Sequence, residues 1–309
     1  MTDSVSQRAL WHPRYIPVWA LAGLLWLLSR LPWQMQVWLG RRLGDGLYLL
    51  GRRRRRVAQI NLALCFPQWS ETARQQVLRG HFQALGIASL ELANAWWGTA
   101  RTYQWLERHS QIEGLEHVQA ALAHGKGALL LSAHFTSLEL TGRLLLARHP
   151  IAVMYRKHQN PAVECLFARK RRQYCLAAIR RDDAKGVLRA LNANQAVWYA
   201  PDQAYRARHS VLAPFFGVPA ATHTATSRLA KISGAPVLPF FAHRLPNGGY
   251  HLRIGAPLAQ FPGNDVHADA ARINALIEQA ILAAPEQYLW THRRFKYRHG
   301  QGLPDYYHQ

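Results

Sequence analysis

His134 and Glu139 stand five residues apart in the segment GALLLSAHFTSLE, Gly127 to Glu139, and the side chains there are of the kind that moves a proton. An imidazole gains and loses its proton near neutral pH, and a carboxylate set against one ring nitrogen fixes the tautomer and stabilises the imidazolium. The other nitrogen is then free to act as a general base towards a hydroxyl. Five residues is a poor separation for one face of a regular helix. The pairing therefore requires a turn at Phe135-Thr136 that brings Glu139, in the first turn of a following helix, under the ring. Both residues also have a structural use. Thr136-x-x-Glu139 has the form of a capping box, in which the glutamate only bonds back to the threonine backbone. A hydrogen-bonded core position is the common fate of one histidine among sixteen.

The elements that would position this pair follow from the apolar pattern. From about Arg41 to Leu106 apolar residues recur at spacings of three and four (Val77, Leu78, Phe82, Leu85, then Ala88 and Leu92), which predicts a helical N-terminal layer. After Glu113 the texture changes to short apolar runs between helical segments: Ala128 to Ala133, Ile151 to Tyr155, Ala196 to Ala200 and Val237 to Ala242. Strands alternating with helices predict an α/β fold, a mainly parallel sheet with flanking helices. Asn160-Pro161 suits a helix start, with Asn as cap and Pro at the first position, and Asp182 or Asp183 can cap the next helix. Pro246-Asn247-Gly248-Gly249 predicts a turn into a last strand, Tyr250 to Ile254.

In this arrangement His134 falls at the carboxyl end of a strand, where open α/β sheets bind ligands. Arg156 follows the strand ending at Tyr155 and reaches the same edge, where it could bind a phosphate or a developing oxyanion. Asp202 lies just past the strand ending at Ala200, a position that also suits a turn or cap aspartate.

Lys and Arg outnumber Asp and Glu by 38 to 17, a net charge of +21, so the partners should be anionic: nucleic acid, phospholipid headgroups, a phosphorylated substrate or an acidic protein. Much of the charge adjoins the most hydrophobic stretch, Ile16 to Ser29, which extends to about Trp33 if Arg30 snorkels. Tyr15, Trp19, Trp26, Trp33 and Trp38 suit a lipid interface. An N-terminal hydrophobic membrane anchor helix, spanning or deeply embedded, is therefore expected, with a buried core helix as the alternative. Arg41, Arg42 and Arg52 to Arg56 on its C-terminal side, against Arg8 and Arg14 before it, place the bulk of the chain in the cytoplasm. The economical division is a tail and anchor over 1–40 and one catalytic domain over 41–309. Cys65, Cys165 and Cys175 form neither a disulfide framework nor a zinc site, and a reducing, cytosol-facing domain is expected. No G-x-S-x-G elbow, H-E-x-x-H, P-loop or dinucleotide fingerprint occurs, so neither a metal nor a cofactor is expected. No helix-turn-helix, zinc-finger or RNA-binding signature accompanies the charge, which argues against nucleic acid as a partner.

Several motifs together resemble one family. His134-x4-Glu139 is similar to the His-x4-acid motif of glycerolipid-type acyltransferases. The chain also carries His12-Pro13-Arg14-Tyr15, Asn61-Leu62-x-Leu64-Cys65-Phe66-Pro67, Val197-Trp198-Tyr199-Ala200-Pro201-Asp202 and Pro285-Glu286-Gln287-Tyr288-x-Trp290-x-His292-Arg293-Arg294-Phe295-Lys296. Over nearly its whole length it resembles the late (secondary) acyltransferases of bacterial lipid A synthesis, particularly the lauroyl-transferring kind. The resemblance implies a bacterial inner-membrane enzyme that moves a fatty acyl chain from acyl carrier protein to the hydroxyl of a 3-hydroxyacyl chain on a lipid A precursor. It implies His134 and Glu139 as the catalytic pair, with direct attack on the thioester and no acyl-enzyme, and contacts to anionic membrane lipids. It also implies substrate-site roles for Arg171, towards the acceptor's phosphate, and for Asp202, orienting an arginine or the acceptor hydroxyl. A glycerophospholipid or an aminolipid is the alternative acceptor. The His292 to Lys296 cluster is expected to be a membrane-surface or carrier-docking patch.

Overall fold

The computed structural model describes residues 12–204, 210–297 and 303–307. A helical layer comes first: α1 (Ile16–Leu28), α2 (Trp33–Leu50), α3 (Arg52–Cys65), α4 (Glu71–Trp97) and α5 (Ala100–His109). The α/β part follows as β1 (Gln111–Glu113), α6 (Leu115–Ala123), β2 (Ala128–Leu131), α7 (Leu138–Leu146), β3 (Ala152–Tyr155), α8 (Pro161–Tyr174), β4 (Ala177–Arg180), α9 (Ala184–Asn192) and β5 (Ala196–Tyr199). It ends with β6 (Ser210–Phe215), β7 (Val218–His223), α10 (Ala225–Ser233), β8 (Val237–Arg244), β9 (Tyr250–Ile254) and α11 (Val266–Ala283). Seven strands form one sheet in the order β1-β9-β8-β2-β5-β3-β4. Its pairs are parallel except β8 with β9, the hairpin foreseen from Pro246-Asn247-Gly248-Gly249.

All four residues of β2 are fully buried, as a central strand covered on both faces requires. Leu129 and Leu131 pack into one apolar core and Ala128 and Leu130 into the other, the period-2 alternation of an extended chain. Helix starts follow local chemistry. The Asn160 side chain accepts from Ala162 N at 3.0 Å to open α8, and Asp183 accepts from Gly186 N at 2.7 Å to open α9. The β6–β7 hairpin escaped the sequence reading. Its two-residue turn puts Phe216 and Gly217 at φ 49° and 74°, and a Phe in that left-handed position lacks the Asn-Gly or Asp-Gly signature of such turns.

The spanning anchor is corrected. Among the described residues no helix is long and apolar enough to cross a membrane. Helix α1 has 13 residues and rises roughly 20 Å, against a hydrocarbon core of about 30 Å. Ser29 Oγ donates to Trp26 O at 2.6 Å, the chain turns, and Pro32 caps α2, which carries Arg41, Arg42 and Asp45. Arg8, counted on the far side of the anchor, lies outside the described residues. Helix α2 also runs through the 40/41 boundary.

Helix α2 instead packs along α4 at backbone contact. A Cβ on Gly86 would sit 2.1 Å from Gly40 O and 2.4 Å from Gly44 N, and one on Gly44 would sit 2.3 Å from Phe82 O. Glycine at these positions lets two helices approach as no larger residue could. The layer is then tied to the sheet by a buried ion pair: Arg244 Nε of β8 donates to Glu91 Oε1 of α4 at 2.8 Å, and the Tyr250 hydroxyl donates to the same oxygen.

Gly86→Ala should therefore lower stability by at least the roughly 1–3 kcal/mol of an overpacked core. Gly46→Ala, where an added Cβ meets nothing within 4 Å, should be neutral or stabilising by up to about 1 kcal/mol. Equal melting temperatures for the two variants would contradict the close crossing.

Candidate active site

The parallel register of β2 on β5 sets Leu131 opposite Tyr199. Each strand runs three residues further, to His134 and Asp202, so the two side chains emerge together at the carboxyl edge of the sheet. Asp202 takes hold of His134 twice. Its Oδ1 accepts from ring Nδ1 at 2.6 Å and its Oδ2 accepts from the backbone N at 3.0 Å. Nδ1 must carry a proton to donate, which leaves Nε2 with its lone pair. The His134 side chain keeps 31% of its surface exposed while that of Asp202 keeps 1%.

Burial pulls the His134 pKa down, but the charge and hydrogen bond of Asp202 outweigh it and hold the ring above its ordinary value. Burial alone would raise Asp202. The His134 charge, the two bonds from that residue and the charge of Arg294 reverse this and bring it down to about 2. The carboxylate is therefore ionised at any working pH. The imidazole partner is thus Asp202, 68 residues away, rather than Glu139 five residues on. Local spacing held no signal for this choice.

Glu139 occupies the second position of α7, whose N-cap is Ser137 without a side-chain cap bond. The Thr136 capping box does not form. The Glu139 carboxylate faces the cleft, and crowding by protein raises its pKa against the opposing charge of Arg171. His134 and Glu139 share the lining of one cavity of about 360 Å³ with Arg156 and Arg171. The Arg171 guanidinium carbon lies over Tyr155, 4.1 Å from the ring centroid, and its buried Nη1 has no hydrogen-bond partner among the described residues. Asp202 is not in the lining; it sits behind the histidine. Arg143, four residues after Glu139 on α7, also lines the cavity and stacks on Tyr174 at 4.0 Å. The sequence reading missed it, although the spacing of four puts it on the face of Glu139.

The cavity floor is apolar, built from Leu146, Ile151, Val153, Met154, Phe167 and Trp198. Cys175 also lines it, but burial first, and the charge of Glu139 second, push its thiol up to about 11, so thiolate is scarce at neutral pH. A histidine that shares one cavity with these apolar side chains suits attack by a hydroxyl on a fatty acyl group.

The family model described as bacterial lipid A biosynthesis acyltransferase matches residues 5–297. The chain belongs to this family. It is 39% identical over 302 residues to the lipid A biosynthesis lauroyltransferase of Escherichia coli (strain K12), covering 97% of each chain. It is 38% identical to the palmitoleoyltransferase of the same organism, covering 94% of each, and 26% identical to its myristoyltransferase, covering 93% of this chain and 89% of that one. Lipid A acyltransferases with three different acyl names thus share this length of sequence.

The C-terminal motif requires a correction. Only part of His292 to Lys296 can be a surface patch: Phe295 is fully buried and Arg294 is 2% exposed, while His292, Arg293 and Lys296 are half-buried. Arg294 donates from Nη1 to Ala221 O at 2.7 Å and from Nη2 to Thr222 Oγ1 and Asn274 Oδ1 at 3.1 and 3.2 Å. His292 Nε2 accepts from Ala204 N at 3.2 Å, and burial brings its pKa down to about 4. These residues support the site from behind.

The pKa directions give a pH dependence with a definite sign. With His134 as the general base the neutral ring is the working form, so its raised pKa predicts that kcat/KM for acyl transfer climbs with pH through a value above 6.5 and then levels. Asp202→Asn removes the charge that raises it and leaves the burial that lowers it. The acid limb should move to lower pH while the plateau falls, by a large part of the roughly 10²- to 10⁴-fold owed to general-base catalysis. An acid limb unmoved by Asp202→Asn would exclude this assignment.

Proposed function

We propose that the chain transfers a fatty acyl group of about lauroyl length from acyl carrier protein to the hydroxyl of a 3-hydroxyacyl chain on a lipid A precursor. The observation that carries this reading is the His134–Asp202 pair, with its one free ring nitrogen at the mouth of an apolar cavity. Nε2 of His134 takes the hydroxyl proton as the oxygen attacks the thioester carbonyl. The tetrahedral intermediate collapses, the carrier thiolate leaves, and the imidazolium returns the proton to that thiolate. Asp202 holds the tautomer and stabilises the imidazolium. No covalent acyl-enzyme is required, which agrees with the raised pKa of Cys175.

Arg156 and Arg171 bind the acceptor's phosphate or the developing oxyanion. The Arg171 guanidinium, over an aromatic ring and with its Nη1 unbonded among the described residues, can receive an anion without breaking a hydrogen bond at that nitrogen. Glu139 faces the same space and holds Arg171 by charge. The donor protein is acidic, and a chain of +21 favours its approach.

The same reading places the protein on the cytoplasmic face of the inner membrane, held at the interface. No residue of α1 is buried, and Trp38, Leu49 and Leu50 of α2 are 60%, 67% and 86% exposed. Beside them α3 opens on Arg52–Arg56, five cations at the end of a helix whose dipole disfavours each by about 0.3–1 kcal/mol. Anionic headgroups remove that penalty and add about 1 kcal/mol per basic residue.

Two measurements test these assignments. Purified protein with acyl carrier protein thioesters and a tetraacylated, phosphorylated acceptor should form one new ester. His134→Ala should abolish it, and Asp202→Asn should cost more turnover than Glu139→Gln. The opposite order would return Glu139 to the position of histidine partner. In flotation with vesicles containing anionic lipid, Leu27→Ser with Trp38→Ser should weaken binding, and added salt should release most of what remains. Unchanged flotation would rule out the interfacial face.

A further inference from the structure

Asn61 opens a sequence motif that takes no part in the cavity lining. It lies on α3, is 1% exposed, and spends its whole amide on one distant segment. The two Nδ2 hydrogens go to Trp290 O at 2.6 Å and His292 O at 2.7 Å. Its Oδ1 accepts from the Tyr307 hydroxyl at 2.5 Å, and that hydroxyl in turn accepts from Phe295 N at 3.0 Å. A planar amide with two donors and one acceptor fits this arrangement, which no hydroxyl or carboxylate reproduces.

The segment that Asn61 grips is the one that holds the catalytic pair. Thr136 N donates to Gln287 O at 2.8 Å and Leu289 N donates to His134 O at 3.1 Å, with Phe135 and Tyr288 paired antiparallel between them. On the other side, Ala204 N, two residues past Asp202, donates to His292 Nε2 at 3.2 Å. One short strap therefore touches the backbone on both sides of the His134–Asp202 bond. Its other end is fastened to the sheet, since Gln287 Oε1 accepts from Arg244 N at 2.7 Å and Gln287 Nε2 donates to Arg244 O at 2.9 Å.

We propose that Asn61 is a positioning residue for acyl transfer: by anchoring the strap of residues 287–292 it sets the distance between His134 and Asp202. The inference rests on the reading of that pair as the general base and its partner. Catalytic geometry is steep, a misplacement of about 1 Å being worth about 10²-fold in rate, so an anchor that never touches substrate still governs turnover.

The test variant is Asn61→Asp in the full-length protein, which keeps the shape and the acceptor for Tyr307 but replaces two donors with an oxygen facing two carbonyls. Thermal melts accompany the kinetics, with Leu106→Val in the other apolar core as a control that lowers stability away from the strap. Folded Asn61→Asp should lose roughly 10²-fold in kcat with the KM for the donor unchanged. The acid limb of kcat/KM should shift to lower pH as the carboxylate slackens its hold. Besides His134, the groups whose charges reach Asp202 are Arg294, Tyr288, Tyr199 and His292, and none of them is altered. Wild-type kcat in folded Asn61→Asp, or a loss with the limb unmoved as in Leu106→Val, would overturn the proposal. If Asn61→Asp does not fold, Tyr307→Phe, which frees Asn61 Oδ1, must move the limb the same way by a smaller amount, and an unmoved limb overturns the proposal equally. His134→Ala separates the two layers: full activity there would remove the reading of the pair itself, whereas an inactive His134→Ala beside a normal Asn61→Asp would remove only the role of Asn61.

Discussion

A carboxylate with 1% of its side-chain surface exposed would ordinarily take up a proton, because water no longer supports its charge. Asp202 stays ionised because an N–H from the backbone and another from the ring of one residue converge on it, with the charge of Arg294 behind. This interaction fixes the rest of the site. It determines which nitrogen of His134 is protonated, turns the other towards the cavity, and requires the chain beyond β2 and β5 to stay in register. The bonds from the 287–292 segment and the buried Arg294, whose Nη1 and Nη2 donate to Ala221, Thr222 and Asn274, serve that requirement.

The cavity combines two demands that oppose one another. Its floor must exclude water to accept an alkyl chain, and its mouth must keep several cations in place. Laying Arg143 on Tyr174 and Arg171 on Tyr155 reconciles them. The aromatic faces hold the guanidinium planes while leaving edges free, at less desolvation than a buried ion pair would incur. Glu139 is the acidic member of this group. Its raised pKa reflects crowding that a single nearby arginine offsets only in part.

The N-terminal layer follows a different logic. Glycines at Gly40, Gly44 and Gly86 let α2 and α4 meet backbone to backbone, so α2 is fixed on one side while its large apolar residues remain on the other. The apolar stretch of α1 is too short to span a membrane and has no buried residue, and the proposed interfacial contact would give it a place. The Glu91–Arg244–Tyr250 cluster ties this layer to the sheet that carries His134.

What the sequence determined by itself was most of what has a short reach. The strands around His134, the caps at Asn160 and Asp183, the last hairpin and the placing of His134, Arg156 and Asp202 at strand ends follow from periodicities of two and 3.6 residues and from local cap chemistry. An uncharged apolar run flanked by tryptophans marked α1 as lipid-seeking but could not say that the chain turns at Pro32 rather than crossing. Tertiary structure alone decided the partner of His134. Glu139 is five residues away along the chain and Asp202 sixty-eight, but parallel strands bring equivalent ends together regardless of the chain between them, and the register Leu131 to Tyr199 made the distant carboxylate the near one. The same holds for Arg294: within a run of basic residues it looks like part of a solvated face until the hydrogen-bond acceptors that bury it, contributed by β7 and α11, are brought to it by the fold.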